Sequence, residues 1–279
     1  MTGERSRISG GCRTVLSRPT LADDTAAPSR GIRRWSGWVE VGVLFALYEA
    51  FEWVRARLQG APGPSFRHAS QVIHLEQLVG IFQEARIQGW FIGNHKIIEF
   101  FDIWYGTIHF VIPPLALFLL YRRRPAGYRP RRDALIILSL VALAWFWLWS
   151  LAPPRLLPTH YHFVDTAKTI GGMGPADKGS MADDNAYAAM PSLHIAWAAW
   201  CTVVLVPILR SWWGKSLAVL YPFVTMLAVV VTANHFILDG VGGLLCLAIG
   251  WVIAFAIDRR FRPLPSAAAA RVLAASRAR

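Results

Sequence analysis

The feature that most constrains this chain is the alternation of long apolar runs with blocks of arginine. Runs at about 35–53, 100–121, 134–151, 190–209, 217–233 and 240–257 are each close to the ~20 residues that cross a bilayer as a helix. Between them fall Arg122, Arg123, Arg124, Arg129, Arg131 and Arg132, then Arg210 and Lys215. Hydrophobic residues make up 54% of the 279 and charged residues 16%, where a soluble domain carries about 25% charged. The chain reads as all-α and polytopic, with six transmembrane helices. The net charge of +12 points to loops on the cytoplasmic side, not to a nucleic-acid groove.

An even number of spans puts both termini on one side, with all the arginine blocks. The positive-inside rule makes that side cytoplasmic and the plasma membrane the expected location. The 35–258 region is the six-span domain. Residues 1–34, polar and arginine-rich, read as a disordered cytoplasmic tail, and 259–279 as a basic cytoplasmic tail. No apolar core or cleavage site follows the early charges, so no signal peptide is expected. Cys12, Cys201 and Cys246 suggest no disulfide framework. The first run is the weakest span, because Glu40, Glu49 and Glu52 lie in it. Residues 69–92 alternate apolar and polar positions at near-helical spacing. This predicts an amphipathic helix, either lying in the outer interface or packed on the bundle.

Topology gathers three polar segments on the outer face: the loop 152–188, the start of the fourth span and the turn before the sixth. Pro191 suits the first turn of a helix. Ser192 and His194 follow it, so the helix start offers a hydroxyl, an imidazole and free N–H groups to an anion. His235 and Asp239 are four apart and share a face if the turn is helical. The carboxylate then fixes one imidazole nitrogen and leaves the other as a nucleophile. Arg155 can add a planar fork for phosphoryl oxygens. Taken singly, each has a bland reading: an interfacial histidine, a serine cap, close helix packing at Gly242 and Gly243. No His-x-x-x-His pair marks a metal site, and no metal or cofactor is expected.

Pro191-Ser192-Leu193-His194 and His235-Phe236-Ile237-Leu238-Asp239-Gly240 resemble the second and third motifs of the type 2 phosphatidic acid phosphatase superfamily, which shares its helical core with vanadium haloperoxidases. Met190 before Pro191, Ala152-Pro153-Pro154-Arg155 upstream and Phe163-Val164-Asp165-Thr166 are similar to the branch of fungal inositol phosphorylceramide synthase and its bacterial relatives. The resemblance implies His235 as nucleophile, Asp239 as its orienting partner and His194 as acid, then base. Arg155, Ser192, Pro191 and Gly240 are the substrate-binding candidates. The family's first motif has a Lys seven residues before an Arg-Pro pair; Leu148 and Leu156 stand there. Val229 stands where the third motif usually has Arg. Lys168 or Lys178 are weak substitutes, and Tyr105 and His109 are candidates to line the site. The expected partner is a lipid substrate. Hydrolysis of a lipid phosphate and inositolphosphotransferase-type transfer of a phospho-headgroup to a lipid alcohol both fit. A non-enzymatic lipid carrier is the remaining class.

Overall fold

The computed structural model describes residues 35–58, 60–169 and 185–261. The expected tails, Lys178 and the glycine-rich 171–174 stretch lie outside the described residues.

Every apolar run is occupied by a helix. The order is α1 (Trp35–Arg57), α2 (Pro62–Leu78), α3 (Glu84–Phe91), α4 (His95–Arg123), α5 (Tyr128–Leu148), α6 (Thr166–Thr169), α7 (Leu193–Leu205), α8 (Trp212–Val231) and α9 (Ile237–Phe261). Local chemistry sets several ends. Pro62 opens α2, where a missing N–H costs nothing. Asn94 caps α4 by accepting from the Ile97 N–H, and Ser211 caps α8 by accepting from the Gly214 N–H.

Among the described residues, three helices, α4, α8 and α9, are long and apolar enough to cross a membrane by length and composition. α1 carries Glu40, Glu49, Glu52 and Arg55 along its length, and α5 opens on Arg129, Arg131, Arg132 and Asp133. α7 is a shorter apolar helix of 13 residues, not the 190–209 span the sequence predicts. Large apolar side chains such as Phe118, Phe223 and Val252 face outward, as a lipid-facing surface requires.

α7 is the inner helix. Trp200 on it is fully buried, and its indole N–H donates to the Arg131 carbonyl at 2.9 Å. The most extensive helix pair is α5 with α9. A Cβ at Gly250 would stand 2.8 Å from the Ala134 carbonyl oxygen and from the Leu138 nitrogen. Only glycine lets these backbones approach so closely.

The amphipathic segment 69–92 is not one helix. It divides into α2 and α3 at Gly80, whose φ of 75° suits glycine. The Ile81 and Phe82 N–H groups both turn back to the Glu76 carbonyl. Gln88 on α3 then holds the outer loop: it exchanges hydrogen bonds with both backbone groups of Val164 and donates to the Val231 carbonyl. The bundle's buried polar residues, including Glu76, Glu84, Gln88, Asp102, Thr166, Asn234, His235 and Asp239, collect around these segments.

Candidate active site

The link between α8 and α9 is built around one carbonyl. The Asn234 and His235 N–H groups both donate to the Val229 oxygen, at 2.9 and 3.2 Å. Ala233 turns the chain with φ of 52°. Its carbonyl accepts from the Arg155 N–H at 2.9 Å, and the Arg155 guanidinium donates to the Asn234 side-chain oxygen. Arg155 therefore docks on the two residues before His235, Ala233 through its backbone and Asn234 through its side chain.

His235 Nδ1 lies 2.7 Å from the Ala189 carbonyl and 3.3 Å from Asp239 Oδ2. Both neighbours are acceptors, so Nδ1 carries the proton and Nε2 keeps its lone pair. The sequence points to Asp239 as the orienting group. The structure gives that work first to Ala189, with Asp239 as the longer second contact. Asp239 Oδ2 also accepts from the Phe236 N–H at 2.9 Å, which ties the carboxylate to the start of α9.

His194, in the first turn of α7, faces His235 with ring centroids 5.8 Å apart. Tyr105 stacks on His194 at 4.4 Å, and the His109 ring meets it edge-on at 4.6 Å. Tyr105 and His109 are four apart on α4, so one helix face holds the imidazole from two sides. His194 Nε2 and His109 Nδ1 are buried and have no hydrogen-bond partner among the described residues.

These groups line one cavity of about 470 Å³. Arg155, His194, His235, Tyr105 and His109 all contribute to its wall, with Lys168, Asp102 and Arg55. Lys168 pairs with Asp165 at 3.1 Å. Arg55 pairs with Glu52 at 2.7 Å on the same α1 face. Arg55 was not readable as a site residue, because an i, i+3 ion pair at the end of an apolar run looks like an ordinary helix terminus. A larger depression of about 780 Å³, lined by Arg123, Arg124 and Arg210, holds none of these histidines.

The remaining predicted residues stand behind the wall. Pro191 is not in the first helical turn; Ser192 is the extended N-cap of α7, and helix begins at Leu193. The reason is tertiary. The Ser192 N–H is committed to the Asp239 carbonyl at 2.9 Å, and a Cβ on Gly243 would stand 2.3 Å from the Ser192 carbonyl oxygen. The Met190–Ser192 stretch is thus pressed against the glycine face of α9. Ser192 Oγ is buried without a partner among the described residues. Gly240 packs against Met226 and Ile195. None of Pro191, Ser192 and Gly240 lines the cavity. Among the described residues, no group of three or more His, Cys, Asp or Glu is placed to hold a metal ion.

Neither the curated proteins nor the solved structures contain a match to this chain. The sequence profile of the PAP2 superfamily matches residues 70–253, which span α3 to α8 entirely and most of α2 and α9. Members of that superfamily are generally phosphatases or phosphotransferases, and the long apolar helices mark a membrane protein. With the paired histidines, at the start of α7 and in the link from α8 to α9, inside the matched region, the chain belongs to the PAP2 superfamily.

Proposed function

We propose that the protein is a membrane phosphatase or phosphotransferase that acts on a lipid phosphate or phospho-headgroup through a phosphohistidine on His235. The observation that carries this reading is the His194–His235 pair across one cavity, with His235 Nδ1 occupied by two acceptors. His235 Nε2 attacks phosphorus and forms the N–P bond. The P–O bond to the leaving group breaks, and protonated His194 gives its proton to the leaving oxygen. Water or an alcohol then attacks, His194 takes its proton, and the N–P bond breaks. Arg155, Arg55 and Lys168 offset charge on the phosphoryl oxygens. Asp239 holds the imidazole but does not touch substrate.

Hydrolysis and headgroup transfer share the first half of this sequence and differ only in the acceptor. Six spans, with the cavity on the outer face of the plasma membrane and both termini inside, complete the reading. The arginine block from Arg122 to Arg132 supports that orientation.

The test is purified protein in detergent with a panel of lipid phosphates, with and without inositol or another polyol. Phosphate release by wild type and not by His235→Ala supports hydrolysis. Headgroup transfer without free phosphate supports the transferase. Neither, from a folded protein, sinks the catalytic reading. Cysteine introduced at Ser180 should label from outside the cell. Labelling only after permeabilisation would put the site on the cytoplasmic side.

A further inference from the structure

Two carboxyl groups are buried completely and take no part in the chemistry above. They are Glu76 on α2 and Glu84 on α3. Neither lines the cavity. Glu76 Oε1 accepts from the Leu238 N–H at 2.8 Å, and Glu84 Oε1 accepts from the Ile237 N–H at 2.9 Å. Asp239 takes the Phe236 N–H. The three consecutive amides that follow His235 therefore each end on a carboxyl oxygen from a different helix. These are donors that an α-helix start leaves without partners. On the other side of His235, its own N–H is held by the Val229 carbonyl.

The two glutamates also hold each other. Their side chains are within hydrogen-bonding reach, and burial together with the neighbouring Glu84 pushes the Glu76 carboxyl up to about 9. One proton between them removes the repulsion that two buried carboxylates would feel.

We infer that Glu76 and Glu84 form a clamp that positions the nucleophile: by fixing the Ile237 and Leu238 amides they set the angle at which His235 enters the cavity. The inference rests on the reading of His235 as nucleophile. Glu76 and Glu84 are positioning residues, acting through the α9 backbone. The clamp also gives α2 and α3 a role, as struts that reach across to the start of α9.

The full chain is tested in detergent in two ways. In the first, kcat and KM are measured on phosphatidic acid micelles. Glu84→Ala leaves the Ile237 N–H and the Glu76 proton without partners, and kcat should fall about 100-fold, the scale of a ~1 Å misplacement, with KM within about threefold. Glu76→Ala should behave likewise. Glu76→Gln keeps an oxygen for Leu238 and an N–H for Glu84, and should restore at least about half of kcat.

In the second, histidine-labelled protein is examined by NMR with no substrate. The hydrogen-bonded Nδ1 proton of His235 should disappear in Glu84→Ala and persist in Glu76→Gln. Glu76→Asp, one methylene shorter with its carboxyl group kept, replaces any alanine variant that does not fold. Retention of that proton and of kcat in both Glu84→Ala and Glu76→Asp overturns the clamp while leaving His235 in place. Wild-type activity in His235→Ala overturns the phosphohistidine, and the clamp with it.

Discussion

α9 is held at its two ends by opposite means. In its C-terminal half it meets α5 by close packing: Gly250 lets the Ala134 and Leu138 backbones close in. At its start its free amides are taken by polar groups, from Glu76, Glu84 and Asp239, and the Ser192 amide closes on the Asp239 carbonyl. The contrast follows from solvent. In lipid, the middle of a helix has its backbone bonds satisfied and needs only close packing. A helix start has free N–H groups, and leaving them unpaired away from water costs several kcal/mol. Polar residues must gather there for the fold to exist at all. The proposed chemistry uses a cluster that folding already requires.

The largest effects should separate the two ends by readout. His194→Gln and His235→Ala remove reacting groups that do not carry α9's backbone. Each should lower turnover on the preferred lipid phosphate at least about 10³-fold, with the thermal midpoint in detergent nearly unchanged. A midpoint that collapses along with activity would show that the histidines are structural. Gly250→Val is the opposite experiment. Its new side chain meets Ala134 and Leu138 and should cost about 1–3 kcal/mol by overpacking, seen as a lower midpoint, while activity per folded molecule stays within about twofold. Lost activity in the molecules that remain folded would join the two ends into one unit.

The sequence makes these two ends unequally legible. Six apolar runs are enough to place the helices, because burial in lipid leaves a long continuous signal. The i, i+4 spacing of His235 and Asp239 anticipates a contact that the structure contains, and Arg155 and His194 line the same cavity. Other features depend on what happens across the chain. Glu76 and Glu84 read as the wet face of an amphipathic helix, since periodicity cannot tell a solvated stripe from a buried polar one. The Ala189 carbonyl carries no side-chain mark. Ser192 and Pro191 look like a helix start with free amides, but the Ser192 amide is spent on Asp239. Arg55 lies just past the run with the poorest span signal.

A smaller effect probes the polar end through pH. Glu76 faces Glu84 and Asp239, and the Leu238 amide. Its folded pKa, about 9, lies above the ordinary 4.5. A raised carboxyl favours the folded state while protonated, so its contribution is complete below about 4.5 and is lost as pH rises through about 9. The wild-type thermal midpoint should therefore fall between pH 5 and pH 9. Glu76→Gln cannot ionise and should show a flatter profile over the same window, and Gly250→Val should keep the wild-type slope from a lower start. Parallel profiles for wild type and Glu76→Gln would mean that Glu76 is already ionised in the folded protein.

The smallest effect concerns where strain sits. Ala233 holds φ at 52°, a left-handed conformation that costs a residue with a Cβ roughly 1–2 kcal/mol. It is held there on the side of His235: the Asn234 and His235 amides both return to Val229, and Arg155 donates to the Ala233 carbonyl. Ala233→Gly relieves the backbone but adds freedom to the unfolded chain worth about 0.4–1 kcal/mol. The net gain should be under about 1 kcal/mol, a rise of a few degrees at most in the midpoint. Activity decides what the strain is for. If hydrogen bonds alone aim His235, the glycine variant keeps wild-type kcat, and the polar end of α9 is over-determined. If kcat drops while the midpoint rises, the left-handed Ala233 is itself part of the aim, and the clamp on the far side of His235 is only half of what holds the nucleophile.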